Sequence, residues 1–173
     1  FLVCTGEKSG QAVLSKGWQV RKRSGILSVV REKSKAQAEK PFSAVVKVPG
    51  ITVVKSRGIE VVVKIAGGVT REKPAGPGKL PSRATLRFSS LKGHRLVVRS
   101  WKPGDRIRPF GMKGEKKVQD VFVDEKVPKE ERMRVPLLAC EKDIAWIPGY
   151  RVAQGYEVVD PADQAMHIMI REE

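Results

Sequence analysis

Short apolar runs rich in Val and Ile, each cut off by Gly, Pro or a charged cluster, constrain this chain more than any other feature. β-Branched side chains lose rotamer freedom in a helix and pack well on a pleated surface, so such runs predict strands. They fall at Gln11–Leu14, Trp18–Arg23, Ile26–Arg31, Phe42–Val48, Ile51–Val54, Ile59–Ile65, Ala84–Phe88 and Leu96–Arg99. After a gap they resume at Leu137–Cys140, Ile144–Ile147, Tyr150–Ala153 and Met166–Ile170. Ser24-Gly25 and Lys55-Ser56-Arg57-Gly58 are the expected hairpin connections, and Pro49-Gly50 is a turn pair. Val61-Val62-Val63-Lys64-Ile65 is apolar enough to be buried on both faces.

The gap holds the helical signal. Lys116–Glu125 puts Val118, Val121 and Phe122 at i, i+3 and i+4 on one face, with Glu125 beside them. Pro128 suits the first turn of a second short helix running to Arg134, ended by Pro136. The expectation is an α+β fold: a β-rich, sandwich-like domain with a short helical hairpin inserted between strands. Residues 32–40 carry charge without apolar periodicity and are expected to be a solvated loop. GGVTREKPAGPGKLPS, residues 67–82, is the most loop-like stretch. It divides a basic β-rich half, residues 1–82, from residues 83–173, and the two may equally form one compact domain. The chain begins at Phe1 without Met, as expected of a piece of a longer protein.

Charge narrows the function. The formal net charge is +15, and it is uneven. Residues 1–98 carry 20 Lys and Arg against 5 Asp and Glu, residues 99–134 carry 11 against 7, and residues 135–173 carry 3 against 7. A field of this sign attracts polyanions, nucleic acid first. The basic residues alternate with Val in strand-like runs and form no amphipathic helix, which disfavours a membrane surface. No apolar run reaches the length of a membrane span, and the apolar start Phe1–Cys4 is too short for a signal peptide. Cys4 and Cys140 stand far apart in apolar company, as reduced thiols of a cytoplasmic protein would.

Catalytic signals are weak. His94 and His167 have no Cys, His or carboxylate at ligand spacing, so no metal site is expected. No Ser sits in a G-x-S-x-G elbow. Asp120, Asp124 and Glu125 suit a solvated helix face, and Asp105 between Lys102, Arg106 and Arg108 suits an ion pair or turn cap.

The densest constellation is Arg99 to Lys117, where Gly104, Gly111 and Gly114 with Pro103 and Pro109 hold tight turns among basic residues. Lys113, Lys116 and Lys117 cluster at the start of the inferred helix, where free N–H groups could cradle a phosphate. A solvated charged turn explains the same residues. Trp101 offers a face for base stacking, although a Trp beside a turn more often packs in the core.

The string RSWKPGDRIRPFGMKGEKKVQDVFVDEKVP, residues 99–128, resembles the C-terminal signature of the bacterial tRNA(Ile)-lysidine synthetases. The likeness continues through Glu131–Leu138 and Ile144–Ala153, and more weakly through Gly17–Arg21 and Ser24–Leu27, while residues 32–82 match nothing in the pattern. The resemblance implies an ATP- and magnesium-dependent parent ligase that joins lysine to the wobble cytidine of an isoleucine tRNA with a CAU anticodon. The family's catalytic Ser-Gly-Gly-x-Asp-Ser loop is missing: Ser9-Gly10 and Gly67-Gly68 lack the rest of it. This chain is therefore expected to hold no catalytic or cofactor site and to bind the tRNA body, chiefly the acceptor stem. Its fold should resemble the C-terminal tRNA-binding domain of the family. On this reading Arg99, Lys102, Arg106, Arg108, Lys113, Lys116 and Lys117 contact phosphates, with Arg132, Arg134 and Arg151 behind them. A general RNA-binding module and a structural or homodimerising domain remain as alternatives.

Overall fold

The computed structural model describes residues 10–13, 18–23, 26–31, 40–67, 80–141, 143–160 and 162–173. The chain divides into two compact units, Phe1–Glu39 and Lys40–Glu173. In the first, β1 (Gly10–Val13), β2 (Trp18–Arg23) and β3 (Ile26–Arg31) form an antiparallel sheet in chain order. Arg23 pairs with Ile26, the register a hairpin over residues 24–25 requires. The Ser24-Gly25 turn itself lies outside the described residues, as do Cys4, residues 32–39 and residues 68–79.

The second unit holds two antiparallel sheets. One runs β5-β6-β14-β7, from β5 (Gly50–Val54), β6 (Ile59–Gly67), β14 (Gln164–Glu172) and β7 (Ser82–Arg87). The other runs β13-β12-β11-β8-β4, from β13 (Arg151–Val152), β12 (Asp143–Ile147), β11 (Leu137–Cys140), β8 (Leu96–Arg99) and β4 (Ser43–Val45). Between β8 and β11 the chain forms the two-residue ladder of β9 (Arg106–Ile107) with β10 (Lys116–Lys117), then the helix α1 (Val118–Asp124).

Strand parity explains the packing. Along β11, Leu138 and Cys140 join one core with Val98, Leu96, Val61, Val63, Met166, Ile168 and Ile170. Leu137 and Ala139 join another with Val118, Val121, Phe122, Ile107 and Ile147. All four side chains of β11 are buried, so this strand is the wall between two cores. Opposite it, the register slips between Leu138 and Ala139: Leu138 faces Trp146 while Ala139 faces Ile144, leaving Ala145 as the extra residue of a bulge. Ala145 and Trp146 consequently both serve the first core.

Three expectations change. The predicted division at residue 82 cuts through a sheet, because β6 lies before it and β7 and β14 after it; the compact unit starts at Lys40. Val61–Ile65 is buried on one face only, because its sheet packs on one side: Val61 and Val63 lie in the core, Val62 and Lys64 on the other face are half-exposed and exposed, and Ile65 at the end of the run is half-buried. The second helix is replaced by turns. α1 closes with Lys126 left-handed at φ 56, Lys126 N–H donating to the Val123 carbonyl and Val127 N–H to that of Phe122. This is a Schellman motif, with Val127 and Phe122 buried in one cluster. From Pro128 to Arg134 two i→i+3 bonds follow, Glu131 to Pro128 and Arg134 to Glu131. Lys129, Glu130 and Glu131 are exposed, so the segment has no apolar face to hold a helix against the sheet. The helical hairpin is thus one helix and a run of turns. Among the described residues no helix is long and apolar enough to cross a membrane.

Candidate nucleic-acid interface

Residues 99–117 form a turn-built loop whose foot is buried and whose tip is exposed. Arg99 lies opposite Leu137 on β11, so its side chain enters the helix-side layer rather than solvent. There both guanidinium ends donate to Asp105, Nη1 to Oδ2 and Nη2 to Oδ1 at 2.8 Å each. The pair is only 12% and 13% exposed. Asp105 Oδ2 also accepts the Lys102 N–H at 2.7 Å, across the turn that Pro103 and Gly104 make. Gly104 has φ 92 and Asp105 N–H donates to the Lys102 carbonyl, the pattern of a type II turn. Trp101 meets Phe122 edge to face at 6.1 Å between centroids and packs, partly buried, against the helix-side core.

The inferred phosphate cradle at the helix start does not form as drawn. α1 has seven residues, Val118 N–H donates to the Asp105 carbonyl at 2.9 Å, and Lys116 is paired with Asp124. The other predicted contacts divide by their partners. Arg151 pairs with Glu125 at 2.7 Å, Arg108 lies 3.8 Å from Glu115, and Arg132 Nε donates to the Val127 carbonyl. Arg134 is exposed at the end of the turn run. Lys102, Arg106, Lys113 and Lys117 are exposed, and among the described residues no carboxylate is paired with them.

Two of these cations are brought together. In the β9–β10 ladder Arg106 is the direct partner of Lys117, so both project from one face while Ile107 turns inward to the core. Like charges opposite each other on a sheet destabilise it by a few tenths of a kcal/mol up to about 1 kcal/mol, unless an anion lies between them. Beside them a polar cleft of about 460 Å³ opens, lined by Arg106, Arg108, Asp143, Gln154 and Tyr156 among others.

Beyond the ladder the chain turns sharply. Phe110 N–H donates to the Val152 carbonyl, Met112 N–H to the Pro109 carbonyl and Gln154 N–H to the Arg108 carbonyl. Gly111 has φ 77, which puts Phe110 on the outer corner of the turn. Phe110 is 60% and Met112 47% exposed. Sequence reasoning passed over both, although apolar residues set among Gly and Pro, with no period to place them in a core, were the available signal. It named Arg106 and Lys117 but missed their pairing, because a two-residue ladder leaves no pattern to read.

Among the described residues the shifted groups are Tyr156, Cys140 and Tyr150. Burial pushes the Tyr156 hydroxyl well above its ordinary value of 10.0, helped by its neighbours Cys140 and Asp143. Burial likewise raises the Cys140 thiol, partly offset by the hydrogen bond with Tyr156. Tyr150 is raised by burial and then by Glu125 and Glu131. His94 pairs with Glu141 on the surface, and His167 meets Thr85. Among the described residues no three His, Cys, Asp or Glu gather where a metal could be held.

Comparison with known proteins shows what this loop is similar to. The family model described as the TilS substrate C-terminal domain matches residues 96–169, the span from β8 into β14. Over that span the chain resembles the C-terminal region of the tRNA(Ile)-lysidine synthases. It is 34% identical over 131 residues to the tRNA(Ile)-lysidine synthase of Caldanaerobacter subterraneus subsp. tengcongensis, covering 76% of this chain and 27% of that protein. With that of Geobacter sulfurreducens it shares 42% over 96 residues, 56% of this chain and 19% of the relative. With that of Persephonella marina it shares 30% over 148 residues, 85% and 31%. The chain thus spans between about a fifth and a third of these synthases. A solved structure described as a TILS C-terminal domain superposes with a TM-score of 0.62 at 22% identity, covering 77% of this chain and 98% of that one. The β-rich domain expected for the synthase C-terminal region is the fold observed.

Proposed function

We propose that this chain is the tRNA-holding C-terminal domain of a lysidine synthase. It binds the body of an isoleucine tRNA with a CAU anticodon, chiefly at the acceptor stem, so that the wobble cytidine reaches a catalytic part outside this chain. The observation that carries the reading is the cross-strand pair of Arg106 and Lys117, two unneutralised cations held side by side within the family-matched span. Phosphate contacts of this kind fix register and orientation without reading sequence, which suits a domain that judges the shape of a tRNA. Lys102 and Lys113 extend the positive surface along the loop. ATP and magnesium belong, on this proposal, to the catalytic part, in the cytoplasm where tRNA is modified. The residues present do not fit them: the cleft beside β9 is lined by both acids and bases, and the chain has no phosphate loop of the family's kind.

The test is a salt-series titration of the chain with isoleucine tRNA bearing CAU and with an unrelated elongator tRNA. Preference for the first, with a log–log salt slope of magnitude roughly 2 to 4 for two to four neutralised phosphates, is the expected result. Reversing Arg106 and Lys117 to Glu together should weaken binding at least several-fold and flatten that slope. Equal, salt-sensitive binding to both tRNAs would leave a general RNA-binding module. Absent or salt-insensitive binding would favour a structural or homodimerising domain.

A further inference from the structure

We propose that the corner formed by Phe110 and Met112 is a stacking contact for an unpaired RNA base next to a helical stem. The inference rests on the tRNA-holding reading above and adds to it a ligand group, the base itself, which the phosphate contacts do not touch. A Phe and a Met this exposed have no role in either core. They are nevertheless fixed. The Phe110, Met112 and Gln154 amides tie the turn to itself, to β13 and to the segment after it, and an isolated bridge pairs Pro109 with Ala153. A rigid apolar corner loses little entropy when it is covered, which is what a binding contact needs.

Charge identifies the occupant. Within two residues of Phe110 stands Arg108, and Lys113 adjoins Met112, both exposed. Residues 99–117 hold seven Lys and Arg against two acids, Asp105, which pairs with Arg99, and Glu115, 3.8 Å from Arg108; Lys116 pairs with Asp124 outside the loop. An apolar corner flanked by cations matches a nucleotide, with its flat base and its phosphates, better than it matches a protein surface. Within an A-form stem the bases are stacked on one another and offer no face to an aromatic ring; unpaired nucleotides do. The partner is therefore the first unpaired base beyond a stem, with Arg108 and Lys113 on its flanking phosphates.

The experiment uses the whole chain and two RNA hairpins with identical stems and identical four-nucleotide 3′ tails, one normal and one with abasic tail residues. The phosphate count is the same in both. Stacking on one aromatic side chain supplies enough energy for the normal tail to bind roughly tenfold tighter, and Phe110→Ala should abolish that preference. Phe110→Trp should keep it, Met112→Ala should reduce it less, and the salt slope should not move in any of the three. Melting temperatures should match the unsubstituted chain, since the side chain is exposed. Equal binding of both hairpins by the unsubstituted chain, or an unchanged preference in Phe110→Ala, would overturn the stacking contact while leaving the tRNA-holding reading intact. Loss of affinity for both hairpins alike would also overturn it, by placing Phe110 against sugar or phosphate. If neither hairpin nor isoleucine tRNA binds at all, both readings fall together.

Discussion

The foot and the tip of the 99–117 loop are built from the same residue types and do opposite things. At the foot, Arg99 is spent on Asp105 inside the fold, and Trp101 is spent on Phe122. At the tip, Lys113 and Phe110 face solvent with their groups uncommitted. An arginine and an aromatic residue in a basic, Gly-rich loop therefore do not identify a ligand contact by themselves. What decides is the parity of the strand that carries them. Arg99 sits on β8, opposite a fully buried Leu137, and is turned inward; Phe110 sits at the corner of a turn, outside any strand, and is turned outward.

That contrast can be broken most sharply at Asp105. Asp105→Ala leaves the Arg99 guanidinium buried without its bidentate partner and removes the acceptor for the Lys102 amide. Removing one member of a buried pair typically costs about 3–5 kcal/mol, so urea unfolding should show a loss near that size. A loss below about 1 kcal/mol would mean that Arg99 escapes to solvent and that foot and tip do not differ as described.

Gly111→Ala probes the tip. Nothing lies within 4 Å of the added methyl group, so the strain comes only from φ 77 and should cost about 1 kcal/mol. Its effect on RNA affinity should exceed its effect on stability, since the turn aims Phe110. Chemical denaturation and tail-hairpin titration of the same variant measure the two.

The smallest expected effect is alkaline. Cys140 and Tyr156 have folded pKa values raised above their ordinary 9.0 and 10.0, so the folded state holds their protons longer than the unfolded chain does. Their stabilising contribution is complete below pH 9 and is lost progressively as pH rises above it. Thermal unfolding at pH 8, 9 and 10 should show a modest decline, shallower in Tyr156→Phe; an unchanged slope in that variant would remove Tyr156 from the account.

Much of this was legible in the sequence, for physical reasons that also explain what was not. β6, β8, β12 and β14 announce themselves through Val and Ile, whose β-branched side chains suit a packed sheet, and β11 through its unbroken apolar run of Leu, Leu, Ala and Cys. α1 was legible from three residues, Val118, Val121 and Phe122, all of which are buried. Pro128–Arg134 misled because Pro suits a helix start whether or not an apolar face follows to hold the helix. The pairing of Arg106 with Lys117 depends on where an eight-residue excursion returns, and no local pattern states that. The family likeness covers the loop but does not say which of its cations face outward.

β11, with each of its side chains buried on alternating sides, carries a further consequence. A strand with no outer face has nowhere to confine damage: disorder that starts around Leu138 disturbs the backbone seating Leu137, and the reverse holds equally. The two layers are thereby bound to a common fate. The amides of this strand should exchange with solvent only when the whole unit opens, and what is bound on the helix side is felt, as protection, on the far side of the wall.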